Sequence, residues 1–465
     1  MKYFIITLLI VLSDFASGSE GFPLISTGEI KFYLDGAQFR GENEKTQQEI
    51  YYKIPFDQFN FVPEGENLKT IYRTTVTLTD SLGKSLLNQN WQSTSYLKSL
   101  EDAQQRDLSI IDQIEMPLFL GSYKFSLKIE DVNSNKSGIV TQDLKVSSYL
   151  QADTLFLSDI ELASQVQEDT TAGKFVKNGL RILPNPPHLF GKRFGILYCY
   201  LEIYNLKLGE GTSPGTYEVK YSIVNDSNEV ARSLPATTKS KPGKNVVEVG
   251  GINILGLSSG KYRVRVEVFD NQSEQKATKE ISFEVVRFTT ATSTKRESEE
   301  QLKQLYEKKG GEYYEQIELL ATAKEMDTFS KLEPQGKKEF LYQFWRKRDL
   351  KPETPENEFL IEYVERFRYV ELHFSTKKQK GSETDRGRIY IKYGAPDEID
   401  RHPADPSYKS FEIWRYSGGG GREFAFADVG GFGKYQLVYS SVREELTDPN
   451  WSRWVDPQCI QTGNR

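Results

Sequence analysis

Strict alternation of apolar and polar positions dominates the first 288 residues. Gly121 and Tyr123 open a stretch in which Phe125, Leu127 and Ile129 share one side, and Gly260 and Tyr262 open another in which Val264, Val266 and Val268 do the same. A period of two is the mark of a half-buried strand. Each stretch meets an Asp/Asn/Ser turn and returns as a second alternating run, which predicts a hairpin. The pattern is also repeated along the chain: Tyr51–Phe61 is answered by Tyr198–Leu208, Ile71–Leu87 by Thr216–Ser233, and Leu120–Tyr149 by Ser259–Phe288. Self-similarity in a fixed order predicts two tandem Ig-like or fibronectin-like β-sandwiches, over residues 19–149 and 150–288.

Beyond Phe288 the period changes. Thr289–Thr294 is a Thr/Ser/Ala stretch, read as a linker over 289–297, and residues 298–375 carry helical spacing. Ser298 with Gln301 forms a capping box ahead of Leu302, Leu305 and Tyr306. Tyr313, Ile317, Leu320 and Ala321 mark a second helix, and Phe340, Leu341, Phe344 and Trp345 a third. Thr354 followed by Pro355 opens a fourth, with Tyr363, Phe367, Val370 and Phe374 on its apolar face. Residues 376–465 return to short strands, at Arg388–Tyr393, Phe411–Tyr416, Glu423–Asp428 and Tyr435–Ser440. They predict a small α+β module packed with the helices, so the fold class is multidomain and mainly β.

Composition narrows the function. The 465 residues carry 60 Lys and Arg against 66 Asp and Glu, a net charge of -6, which disfavours a nucleic-acid partner. Lys2, the apolar run Tyr3–Leu12 and the small residues Ala16, Ser17 and Gly18 read as a signal peptide over residues 1–18. The run is too short to span a bilayer, and no Cys follows it to accept a lipid. The expected location is periplasmic, extracellular or at the cell surface, with no transmembrane helix in the mature chain. Two cysteines are too few for a disulfide framework, and Cys199, inside an apolar strand pattern, reads as a buried thiol.

Several motifs carry candidate chemistry. Gly256-Leu257-Ser258-Ser259-Gly260 is a literal G-x-S-x-G, but an alternating strand follows it where a hydrolase elbow needs a helix, so it reads as a turn. Asp131, Asn133 and Asn135 have the opening spacing of a calcium loop, yet Lys136 and Gln142 occupy the positions of its Gly and bidentate Glu, and a hairpin turn is expected. The glycine-rich stretches Ser417–Gly421 and Gly430–Lys434 lack the phosphate-loop pattern and read as turns. Asp397, Glu398, Asp400, His402 and Asp405 form an acidic group expected on a surface loop. Trp345, Trp414, Trp451 and Trp454 are expected to fill a core or an interface. In the group Asp385, Arg386 and Arg388, alternation places the two arginines on one side of a strand and Ile389 and Ile391 on the other. An ion pair between Asp385 and one arginine is expected to tie loop to strand, the alternative being that the arginines face an acidic ligand.

Gly381–Ile399 (GSETDRGRIYIKYGAPDEI) resembles the bacterial GWxTD domain. Gly381, Thr384 and Asp385 match its signature, and Ser382 stands where the family has Trp. Phe344, Trp345, Arg348 and Asp349, then Thr354–Phe359, Phe411–Tyr416 and Phe424–Tyr439 with Asp428 and Gly431–Gly433, extend the resemblance. The resemblance implies an exported bacterial protein and assigns no mechanism. The reading that follows is a non-catalytic envelope protein, a binding or assembly module without cofactor or metal. Its candidate binding residues are Asp385, Arg386, Arg388, Asp397, Glu398 and Trp414, and its partner an envelope protein or polysaccharide. Two alternatives stay open: a hydrolase using carboxylates such as Asp385, Asp397 or Glu398 as acid and base, and a carbohydrate-binding protein using Trp91 and Tyr96 on a sandwich face.

Overall fold

The computed structural model describes residues 21–99, 108–149, 153–191, 195–209, 215–286, 316–349, 357–376, 379–402, 404, 408–417 and 421–460. The expected signal peptide, linker, first helix, Tyr313, the Thr354–Pro355 cap and Asp405 lie outside these residues. The chain forms two units: one holds the residues up to Glu161 with Asn185–Pro187, the other Leu162–Pro184 with His188 onward.

The first unit is a sandwich of two antiparallel sheets. β1 (Tyr33–Arg40), β2 (Thr46–Pro55) and β5 (Ser109–Leu118) build one sheet, edged by Leu24–Ile25. In the other, β7 (Ser137–Val146) pairs β6 (Gly121–Asp131), which pairs β3 (Asn67–Asp80), and β3 in turn pairs β4 (Ser85–Leu97). Phe125, Leu127 and Ile129 all point into the core, as their alternation predicts, against Val76 and Leu78 of β3. The calcium-like turn is a closed Asx turn: Asp131 accepts the N–H groups of Asn133 and Asn60 and the Ser134 hydroxyl. The repeat reproduces the device at buried Asp270, which accepts from the N–H groups of Gln272 and Lys207.

The second unit contains the second sandwich. One of its sheets is built on β11 (Thr216–Asn225), β13 (Gly260–Asp270) and β14 (Lys276–Val285). Ser258 sits in the turn entering β13, as expected. The other sheet holds β8 (Glu161–Glu168), β9 (Leu180–Pro184), β10 (Ile196–Tyr204) and β12 (Val246–Asn253), and it does not stop there. β12 pairs with β15 (Glu398–His402), which pairs with β16 (Phe411–Tyr416), then β17 (Arg422–Ala427) and β18 (Gln436–Ser440). The sequence division at residue 288 thus separates segments that share one continuous sheet. Cross-strand rows run across the joint, for example Tyr198, Gly251, Ile399, Trp414 and Phe424 side by side.

Helices cover one face of this sheet. α1 (Ala323–Ser330) starts at Thr322, whose capping box with Glu325 fixes the helix start. Ile317–Ala321, expected as helix, is therefore a turn preceding that cap. α2 (Pro334–Arg346) and α3 (Glu358–Phe374) follow the predicted apolar spacing, with Asn357 as the α3 cap. α4 (Asp385–Tyr393) replaces the expected strand at Arg388–Tyr393. Thr384 caps its N-terminus and Gly394, at φ 83°, ends it. These terminal signals override the short alternation of the sequence Arg-Ile-Tyr-Ile-Lys-Tyr. The Tyr198 hydroxyl meets that of Tyr369 on α3 at 3.1 Å on this face, while Tyr221 of the second sheet closes over Gly250 on the other.

Candidate functional site

The GWxTD-like segment is where helix, loop and sheet converge. Gly381 lies so close to α3 that a Cβ there would stand 1.9 Å from the Val370 carbonyl oxygen, and a Cβ on Gly387 would stand 1.9 Å from that of Gly381. Neither position has room for a side chain. Thr384 caps α4 by accepting from the Gly387 N–H at 3.0 Å, and its hydroxyl donates to the Gly381 carbonyl at 2.7 Å. Asp385 Oδ2 accepts the Leu437 N–H of β18 at 2.9 Å, which ties the helix start to the sheet.

Ser382, in the family's Trp position, donates through its hydroxyl and its N–H to Glu371 Oε1 at 2.5 and 3.0 Å. Gly381 N–H donates to Glu371 Oε2 at 2.9 Å. Burial pushes the Glu371 carboxyl up, but these donors outweigh it and hold the group below its ordinary value. A hydrogen-bonded anchor on α3 thus fixes the loop here.

The expected ion pair between Asp385 and Arg386 or Arg388 does not form: Asp385 is taken by the Leu437 N–H, and the two arginines turn to Glu412 and Glu445. Arg386 reaches Glu412 of β16 at 2.9 Å, with its guanidinium over the rings of Tyr435 and Phe374 at 4.2 and 4.9 Å. Glu412 is also held by Arg401 at 3.0 Å and by the Trp414 indole N–H at 3.0 Å. Burial raises the Glu412 carboxyl, and the two guanidinium charges overcome this and keep it ionised. Arg388 and Lys392, one helical turn apart, grip Glu445 at 2.5 and 2.7 Å, joined by the Tyr393 hydroxyl.

The acidic stretch expected on a surface loop is instead mostly β15, buried between β12 and β16. Glu398, Asp400 and His402 face the sandwich side of the sheet. Glu398 pairs with Arg415 at 3.1 Å, and Arg415 also holds Glu423 at 3.0 Å. Asp400 receives Lys239 at 2.5 Å, and Lys239 also binds Glu248 at 2.8 Å, so one buried ammonium bridges the sandwich and the appended strands. His402 Nε2 lies 3.1 Å from Asp400. Burial alone would lower the imidazole, but the Asp400 charge raises it to about 9, so it carries a proton at neutral pH. Asp397 pairs with Arg232 and accepts the Ser417 N–H at 2.6 Å.

Trp414 is fully buried, packed on Phe426, Phe374 and Tyr390, and Trp345 is buried against Tyr363, so both are core as expected. Trp91 turns toward the sandwich core whereas Tyr96 faces out, so these two do not form a row on one face. Cys199 and Cys459 are both free and buried. Among the described residues no group of three or more His, Cys, Asp or Glu could hold a metal ion, and no helix is long and apolar enough to cross a membrane.

One feature escaped the sequence reading. In Gly430–Lys434 the Asp428 carboxylate accepts three consecutive N–H groups, from Gly431, Phe432 and Gly433, at 3.0, 3.2 and 2.7 Å. The loop so fixed presents the Phe432 ring 92% exposed. The glycines advertised a turn, but nothing in the order of residues showed that the turn holds an aromatic ring outward.

Solved structures similar to this chain include red sea bream transglutaminase, at 6% identity over 55% of this chain and 31% of that one, with a TM-score of 0.15. Bacteroides uniformis β-glucuronidase 2, covalently bound to cyclophellitol-6-carboxylate aziridine, is similar at 10% identity over 56% and 32% of the two chains, TM-score 0.17. A structure described as pT26-6p covers 80% of this chain and 83% of its own at 10% identity, TM-score 0.15. The chain spans about a third of the length of the two enzymes, and likenesses at these scores carry no argument. No curated protein matches. Residues 278–456 match the GWxTD domain, whose span begins inside β14 of the second sandwich, and the chain is a GWxTD domain-containing protein.

Proposed function

We propose that the protein is an exported, non-catalytic component of the bacterial envelope whose GWxTD domain docks a partner through the Phe432 loop. The carrying observation is that loop: an almost fully exposed aromatic ring on a backbone fixed by Asp428. Aromatic anchors dominate interface energetics, and a loop ordered before contact loses less entropy on binding. The assignment of the other candidates to scaffolding supports the reading. Asp385, Arg386, Arg388, Glu398 and Trp414 each hold another part of the domain, and Asp397 holds Arg232 of the second sandwich, which leaves this body free to present a separate contact point. The signal-peptide pattern at residues 1–18 supports export.

A photoreactive phenylalanine analogue at position 432, in the full chain expressed in its source organism, tests this. The reading expects one envelope protein to crosslink at 432 and to be lost from affinity enrichment with F432S. Recovery of envelope polysaccharide in its place, equally by wild type and F432S, would overturn it.

A further inference from the structure

β4 (Ser85–Leu97) is the outer strand of its sheet: it pairs along its length with β3, from Leu68 opposite Leu97 to Thr79 opposite Ser85, and no described strand pairs with its other edge. An open edge offers a row of backbone donors and acceptors to any extended chain, and proteins ordinarily blunt it with charges, proline, bulges or short length. β4 runs for 13 residues without a charged residue, a proline or a glycine. Its one irregularity of register sits at the Ser85 end.

The order of its side chains is self-complementary. The outward positions are Leu86, Asn88, Asn90, Gln92, Thr94 and Tyr96, all exposed. Paired antiparallel with an identical strand about a twofold axis at Trp91, they set Leu86 opposite Tyr96, Asn88 opposite Thr94 and Asn90 opposite Gln92. The apolar ends meet, and the amides meet in the middle. On the inner side the half-buried Trp91 meets Trp91 of the second copy, an aromatic cross-strand pair. The absence of charge removes the like-charge repulsion that usually prevents a strand from pairing with itself.

We propose that two copies of this protein associate edge to edge through β4, antiparallel and centred on Trp91, joining two sandwich sheets into one. The twofold makes the contact isologous and closed, so it ends at the dimer.

Sedimentation velocity of the full chain over a concentration series is the test, with N90K and Q92K as edge variants and T141K, exposed on β7, as the control. All three positions are exposed, so folding is preserved. The proposal expects a dimer whose dissociation constant rises roughly tenfold or more in the edge variants and stays unchanged in the control. The register is read by mixing N88C with T94C: oxidation links the two variants to each other and neither to itself. A monomer at every concentration, a dimer indifferent to N90K and Q92K, or no crosslink in the mixture overturns the proposal.

Discussion

Gly251 of the second sandwich lies directly opposite Ile399 of the GWxTD domain, inside an antiparallel pairing that runs from Val249 and Arg401 to Ile252 and Glu398. A Cβ on Gly251 would lie 3.0 Å from the Tyr198 ring and 3.1 Å from Ile399, whereas one on Gly250 would lie 2.4 Å from the Tyr221 ring. The two glycines let aromatic rings close on both faces of the joint. G250A is expected to cost about 1–3 kcal/mol as an overpacked site, and G251A less, because its neighbours need to give only slightly. Urea unfolding followed by circular dichroism measures both.

The signature residues act as local structure. T384A removes the α4 cap and is expected to cost about 1 kcal/mol. G387A must push the Gly381 carbonyl out of a 1.9 Å overlap and is expected to cost more than T384A. Thermal unfolding midpoints of the two variants give the order directly.

Burial decides which ion pairs matter. E412A strands two guanidinium groups, with Arg401 only 7% exposed, and is expected to cost about 3–5 kcal/mol. K239M is expected to cost less, because Asp400 keeps His402 and Arg415 and Glu248 keeps the Tyr217 and Tyr221 hydroxyls. R388A, at a side chain 30% exposed, leaves Lys392 and Tyr393 on Glu445 and is expected to cost less than about 1 kcal/mol. Equal losses in E412A and R388A would contradict this account.

Two histidines set opposite pH limits. Both titrate near 6.5 when unperturbed. Asp400 overcomes burial and raises His402 to about 9, so its stabilisation is complete below pH 6.5 and is lost as pH rises through 9. Burial lowers His373 to about 4, so its contribution is present above pH 6.5 and is lost as pH falls through 4. H402Q is expected to flatten the alkaline limb of the melting temperature against pH, and H373Q the acid limb.

The sandwiches were legible because Phe125, Leu127 and Ile129 obey a period that only a half-buried strand explains, and because the pattern occurs twice. The family was legible in Gly381, Thr384 and Asp385. α4 was misread because nine residues are too few to separate a period of two from 3.6, and the decisive signals, Thr384 and Gly394, stand at its ends. β15 was misread because Glu398, Asp400 and His402 look like a solvated loop until Lys239 and Arg415, distant in sequence, are placed beside them. Glu371, Glu412 and Glu445 went unnoticed as anchors for the same reason: an isolated acid gives no sign of its partner.

The central claim is that the second sandwich and the GWxTD domain are one folded body sharing a sheet, and two buried thiols report on its two ends. Cys199 lies on β10 in the sandwich, and Cys459 packs in the core cluster beneath β16 and β17. Thiol labelling of the single-cysteine variants C459S and C199S across a urea series measures the opening of each region separately. The account predicts that Cys199 and Cys459 become reactive with the same midpoint and the same dependence on urea. Labelling of Cys459 at a clearly lower urea concentration, with Cys199 still protected, would show that the GWxTD domain unfolds on its own and would contradict it.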